Sequence, residues 1–158
     1  MRAHRRVPMT LPRFIASGFG SGLLRPAPGT IGSFVALLLG AAMLWWWPPL
    51  LPVAAALFYV LGLWAVAACD AVDDPGWVVV DEFVGQWIAM LPLTVVSAPG
   101  LLVAFVLFRV FDITKPGPIR TAEAMGGAQG VMADDVVAGV IAAGLLWMVR
   151  TGWPGVLD

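Results

Sequence analysis

Histidine and cysteine are nearly absent from this chain. Its 158 residues hold one of each, and only 12% are charged. The single histidine, His4, stands among Arg2, Arg5 and Arg6 and reads as a surface residue. No mechanism that needs an internal catalytic histidine is therefore available. That excludes Ser-His-Asp hydrolysis and phosphatases that pass through a phosphohistidine. One cysteine, Cys69, excludes a disulfide framework and a Cys-rich metal site. It follows an apolar run and reads as an inert thiol, with no arginine at the spacing a cysteine-based phosphatase loop needs. Other patterns are missing too. There is no Asp-x-Asp-x-Thr/Val for a phosphoaspartate enzyme, and no Gly-Lys-Ser/Thr to complete a P-loop. Asp70-Ala-Val-Asp73 is not followed by the Gly and Ala-Arg that mark CDP-alcohol phosphotransferases. A net charge of −1 argues against nucleic acid as a partner, since that needs a basic surface.

What is present is greasy. The chain is 60% hydrophobic with eight tryptophans and a mean hydropathy of +0.90, whereas a soluble domain carries roughly a quarter charged residues. A soluble domain with a large apolar core is the weaker alternative to an integral or deeply embedded membrane protein. The length fits one domain, residues 1–158, with a basic N-terminal tail over 1–16. Arg2, Arg5, Arg6 and Arg13 have no apolar core between them, so this tail is not expected to be a secretory signal. Its charge places it on the cytoplasmic side of a membrane.

The expected architecture is all-α: a membrane-embedded bundle of about five apolar helices joined by polar, Gly/Pro-rich loops. A Gly/Pro-rich loop covers Gly18 to Ser33, and Thr30 or Ser33 is expected to cap the first helix, Phe34 to Trp47. Pro48-Pro49 ends it beside Trp45–Trp47, which suit a membrane interface. The second run, Leu50 to Ala68, is the best single crossing candidate. The tract Asp70 to Gly76 reads as a loop. A third helix is expected within Val78–Pro92, a fourth from Leu101 to Ile113, and a last one from Val136 to Arg150 after a second Gly-rich loop, Gly126–Gly130. Apart from the second, these are short for clean spans, and re-entrant helices fit equally well.

The scarce charges cluster. Phe108 to Gly139 holds three of the nine basic side chains and four of the ten acidic ones. Asp81-Glu82 and Asp134-Asp135 each precede an apolar run with an early glycine. One acid per helix N-terminus is ordinary capping. Two adjacent acids near lipid repel each other, and a divalent cation such as Mg²⁺ removes that penalty by taking carboxylate oxygens as ligands. Arg109, Asp112 and Lys115 recur every third position. They read either as a helical Arg–Asp pair plus a lysine on the last carbonyls, or as a phosphate site completed by Arg120. What survives the exclusions is carboxylate- and metal-assisted chemistry on a phosphate near a membrane.

Four stretches in order carry a resemblance: GFGSG…PAPGTIGS (Gly18 to Ser33), VDEFVGQW (Val80 to Trp87), FRVFDITKPGPIR (Phe108 to Arg120) and GGAQGVMADDVVAGV (Gly126 to Val140). With these motifs the chain resembles the phosphatidylglycerophosphatase A family of bacterial, Mg²⁺-dependent lipid phosphatases. The resemblance implies removal of the phosphomonoester from phosphatidylglycerophosphate, giving phosphatidylglycerol and phosphate. It implies an inner-membrane location with membrane lipids around the protein and the site facing the cytoplasm. A homo-oligomer is compatible with it. Carried over by position, Asp81, Glu82, Asp134 and Asp135 would be metal ligands, and Asp81, Asp112 and Asp135 catalytic. Thr30, Ser33, Arg109, Lys115 and Arg120 would lie on the phosphate side. Glu123, in the variable link before the second glycine loop, is given no carboxylate role, and Asp73 and Asp74 are left out. The alternatives are a non-enzymatic membrane protein, a transporter or assembly factor with a metal-stabilised polar core, and a related phosphatase for another phosphomonoester.

Overall fold

The computed structural model describes residues 8–157. His4 and the arginines of the tail before it and after it, Arg2, Arg5 and Arg6, lie outside the described residues. Among the described residues every regular element is helical: α1 (Leu11–Ala16), a 3-10 turn (Ser21–Leu23), α2 (Pro28–Trp46), α3 (Leu50–Ala68), α4 (Val80–Ala89), α5 (Ala98–Thr114), α6 (Gly117–Glu123) and α7 (Gly127–Gly152). The five apolar helices are α2, α3, α4, α5 and α7. The tail expected to run to residue 16 instead enters α1 at Leu11, with the Thr10 hydroxyl accepting from the Arg13 N–H.

Three helices, α2, α3 and α7, are long and apolar enough to cross a membrane. Their outer faces are apolar: Leu38, Leu57, Val60 and Trp147 are exposed. An aqueous protein rarely shows such faces, and lipid covers them at no cost. Trp45 and Trp46 are 82% and 76% exposed at the end of α2, the placement of an interfacial anchor.

The helix α4 is too short to cross, at 10 residues or about 15 Å. It is instead the core of the bundle. Val80, Phe83, Val84, Gly85, Gln86, Trp87 and Ala89 are all buried. Phe83 packs edge-on to Trp87 at 5.6 Å and to Phe19 at 5.9 Å, and Phe58 packs edge-on to Trp87 at 5.0 Å. The Trp87 indole N–H donates to the Ala36 carbonyl of α2 at 2.8 Å, so the ring is both buried and satisfied.

Three helices begin earlier than their sequence suggested: α5 by three residues, at Ala98 where Leu101 was expected, and α2 and α7 by more. α2 starts at Pro28, with Thr30 and Ser33 inside it and Ala27 at the cap position; neither hydroxyl caps it. α7 starts at Gly127, so the second glycine loop is its first turn and Asp134-Asp135 lie in its third. In both places glycines mark close approach rather than a loop. A Cβ at Gly29 would stand 2.5 Å from Glu82 Oε1, one at Gly32 2.7 Å from the Val79 side chain, and one at Gly130 2.7 Å from the Glu123 carbonyl. Pro at the first helical position is well tolerated, and it starts α2 without needing a capping side chain.

Candidate active site

The helices α4 and α7 cross at a pair of glycines. Any Cβ on Gly139 would collide with the Gly85 carbonyl and lie 3.1 Å from Gly85 Cα. On the other side, a Cβ on Gly85 would meet the Asp135 carbonyl at 2.6 Å and the Phe108 ring. Asp81 precedes Gly85 by four residues, and Asp135 precedes Gly139 by four. Four residues are about one helical turn, so both acids sit one turn from the crossing and meet there. The sequence echo between the two acid pairs thus has a geometric cause.

Carboxylate oxygens of Asp81, Glu82 and Asp135 all lie within 4.8 Å of one another. Asp81 and Asp135 are buried, and Glu82 is nearly so, with its Oε2 buried and unpartnered. Burial pushes Asp81 up to about 7; the bonds to Glu82 oppose this, and the charges of Asp74 and Asp134 add to it. Burial and the adjacent Asp81 carboxylate push Glu82 well above the usual carboxylate range. Protein groups alone leave these three acids badly compensated. Hard oxygen donors in a tight group, with an orphaned buried oxygen among them, fit a divalent cation, and the trio could hold one. Capping accounts for less. Asp81 and Glu82 do lie in the first turn of α4, but Asp134 and Asp135 lie too deep in α7 to serve its N-terminus.

Cations line one flank. Arg109, on the last turns of α5, pairs with Asp112, reaches Ser33 Oγ at 3.3 Å and stands 4.0 Å from Glu82 Oε1. Ser33 Oγ in turn donates to the Gly29 carbonyl at 2.8 Å, which ties this flank to the first turn of α2. The Arg109 Nε is buried without a partner. A guanidinium with spare donors beside a carboxylate trio is arranged to meet an anion bound there.

Asp134 faces a different partner. Lys115 Nζ bonds Asp134 Oδ2 and Glu123 Oε1, each at 2.7 Å. Burial opposes the Lys115 charge, but the two carboxylates outweigh it and hold its pKa above the usual lysine value. Lys115 ends α5 in the left-handed region at φ 42°, which turns the chain toward α6 and aims the side chain at α7. Thr30 and Arg120 are exposed, and Arg120 forms no ion pair among the described residues. The structure therefore gathers Asp81, Glu82 and Asp135, flanks them with Ser33, Arg109 and Asp112, and sets Asp134 with Lys115 beside them.

Three acids set aside in the sequence reading stand here as well. Glu123 closes the lysine clamp. Asp74, at φ 49°, lines a cavity of about 180 Å³ with Asp73, Glu123, Asp134 and the glycines of the α7 start. The signal available for Asp74 was its place just before Pro75-Gly76, where a turn brings it back onto the start of α4. For Glu123 it was a lone acid eight residues after Lys115, meaningful only once α6 folds back. Gln86, one turn below Glu82, is fully buried with both amide atoms unpartnered.

The sequence profile of a family described as phosphatidylglycerophosphatase A matches residues 14–150. Phosphatidylglycerophosphatase A of Escherichia coli is 37% identical over 162 aligned residues, covering 99% of this chain and 94% of that one. The Haemophilus influenzae protein of the same name is 39% identical, covering 86% of each chain. A Bacteroides thetaiotaomicron protein, provisionally named a phosphatidylinositol-3-phosphatase, is 41% identical over 90% of this chain and 96% of its own. No solved structure matches the chain.

Proposed function

The chain belongs to the phosphatidylglycerophosphatase A family, and we propose from this that it hydrolyses the phosphomonoester of phosphatidylglycerophosphate with Mg²⁺ bound at Asp81, Glu82 and Asp135. The observation that carries the site is the convergence of these three carboxylates beside Arg109. Bound there, Mg²⁺ supplies neutralisation of the phosphate charge and a water of lowered pKa. The chain's own residues do the rest. Arg109 holds the phosphoryl oxygens with the donors it does not spend on Asp112 and Ser33. Asp112 fixes the guanidinium in that pose and offers a carboxylate near the attacking water. Asp134, neutralised by Lys115, braces the inner side of the metal cluster. Arg120, exposed on α6, is free to swing toward an arriving headgroup.

As a whole, residues 1–158 act as one domain in the bacterial inner membrane, with the N-terminus and the site toward the cytoplasm. The apolar outer faces and the exposed tryptophans support the embedding, and the excess of arginine at the N-terminus supports the orientation. The B. thetaiotaomicron relative supports one further reading, a phosphoinositide substrate. A phosphate-release assay on purified protein decides. It compares phosphatidylglycerophosphate, phosphatidylinositol 3-phosphate and a soluble phosphomonoester, each with EDTA and with Mg²⁺. Mg²⁺-dependent release from the first, well above the others, is the expected result; equal or faster release from the second would overturn the substrate assignment.

A further inference from the structure

A basic cleft lies next to the carboxylate cluster. Between α1, the loop before α2 and the turn before α4 there is a cleft of about 530 Å³, lined by Arg13, Gly22, Leu23, Arg25, Pro26, Pro28, Gly76 and Trp77. Among the described residues its lining contains two guanidinium groups and no carboxylate. Neither arginine makes an ion pair among the described residues. Arg13 is half-buried, and its guanidinium carbon lies 4.9 Å from the centre of the Trp77 ring, which holds the guanidinium at the cleft wall by a cation–π contact. Arg25 comes from the opposite wall and is exposed. The wall itself is firm, because Gly22 packs so closely on the Trp77 carbonyl that no side chain could stand there.

The position of the cleft gives it meaning. Pro28 lines it, and Gly29, the next residue, faces Glu82 and Arg109. Cleft and cluster are thus two sides of the first turn of α2. A ligand spanning both would carry one phosphate at the cluster and a second anionic group in the cleft. We propose that the Arg13–Arg25 cleft binds a phosphodiester: either that of the substrate's own headgroup, while its phosphomonoester sits at the cluster, or that of an adjacent anionic lipid. Paired guanidiniums suit such an oxyanion, which accepts forked hydrogen bonds. Trp77 at the mouth suits the water–lipid boundary where diester phosphates lie. This rests on the cluster being the phosphomonoester site, and it explains how a small all-helical phosphatase tells a two-phosphate lipid from a simple phosphomonoester.

The test uses the full chain, as wild type and as Arg13→Gln, Arg25→Gln and the double variant. Short-chain, water-soluble phosphatidylglycerophosphate is the substrate, and two inhibitors are compared. Short-chain phosphatidylglycerol carries the phosphodiester alone, and inorganic phosphate probes the cluster alone. In the double variant the KM for substrate and the inhibition constant for short-chain phosphatidylglycerol are expected to rise about tenfold, the loss of roughly one charge-assisted contact. The kcat and the inhibition constant for inorganic phosphate should stay within about twofold, which also shows that the variant is folded. If those soluble constants hold but activation by phosphatidylglycerol vesicles is lost, the phosphodiester is a neighbouring lipid's. The proposal is overturned if a wild type that turns over the substrate is matched by the double variant in every arm, or if phosphate inhibition weakens as much as phosphatidylglycerol inhibition. A wild type inactive on the substrate would instead count against the proposed function.

Discussion

Replacing Gly139 by alanine tests the geometry of the site without touching a charged group. The new methyl would lie 3.1 Å from Gly85 Cα and closer to its carbonyl. Ordinary carbon contacts are about 3.5–4.0 Å, so α7 must move from α4 by roughly 0.5–1 Å. Both neighbours are backbone, and no side chain can swing aside to absorb the strain. The expected stability cost is about 1–3 kcal/mol. The larger effect falls one turn away. Octahedral Mg²⁺ holds oxygens at about 2.1 Å, so neighbouring ligand oxygens stand about 3 Å apart. A displacement of this size spoils that set, and a 1 Å misplacement costs about 100-fold in rate. Gly139→Ala should therefore raise the Mg²⁺ concentration for half-maximal activity and lower kcat by one to two orders of magnitude. Gly144→Ala on the same helix, where an added Cβ meets nothing within 4 Å, should change neither. The assay is a Mg²⁺ titration of phosphate release beside a thermal melt in detergent. If Gly139→Ala keeps the wild-type Mg²⁺ dependence and rate, the claim that the glycine crossing sets the carboxylate geometry is wrong.

Asp81→Asn and Asp135→Asn should each remove most Mg²⁺-dependent turnover while the melting curve without metal is unchanged or shifted upward, because each removes a compressed buried charge; full activity in both would sink the site assignment. The pH dependence without metal has a definite sign. Asp81 titrates near 7 in the folded protein against 3.8 when unfolded, so the folded state binds more protons between these values and stability falls as pH rises from about 4 to about 7. Melting temperatures in EDTA should follow that slope, and saturating Mg²⁺ should flatten it; a slope of opposite sign would refute the burial argument. Lys115→Met strands Asp134, whose side chain is only 5% exposed, and should cost about 3 kcal/mol in denaturant unfolding. Glu123→Gln removes the 48% exposed partner and should cost under about 1 kcal/mol. Equal losses in these two variants would mean that the clamp is not organised around Asp134.

The helical class, the five apolar helices and the two acid pairs could be read from the chain because hydropathy and charge are local properties. The early starts of α2 and α7 could not. Gly29, Gly32 and Gly130 look like loop residues until the helices they touch are in place, and then each is the point where another chain segment comes within 3 Å of where a Cβ would stand. The short α6 escaped notice for a related reason: Gly117-Pro118 reads as a turn, although Pro is also a good first-turn residue. Glu123 and Asp74 depend on that fold-back. Their distance from Lys115 and Asp134 is a property of the α5–α6–α7 corner and of the turn before α4, and no spacing rule within one helix reports it. The glycine four residues after Asp81 and after Asp135 was visible as an echo. That the two glycines are each other's contact was not.

The lengths of the helices bear on how deep the site would lie in a bilayer. α7 has 26 residues, and the acids fall in its third turn. The part beyond them, from Val136 to Gly152, is about 17 residues or about 25 Å, close to the thickness of the hydrocarbon layer. The first turns, with Gly127 to Gly130, then project past the hydrocarbon. Asp81 and Glu82 reach the same level because α4 starts there, and Arg109 because α5 ends there. Exposed Trp45, Trp46 and Trp153 mark the opposite boundary, at the far ends of α2 and α7. With α7 crossing a bilayer over that length, the carboxylates would sit where hydrocarbon gives way to headgroups. That depth resolves the apparent cost of buried acids in a membrane protein: they need not be carried to the bilayer centre, and a lipid phosphate need not leave its own layer to reach them. It also accounts for the shortness of α4. A longer helix would be a fifth wall of the bundle; one of 10 residues ends below the site, and its apolar side chains form the floor on which the carboxylate trio rests.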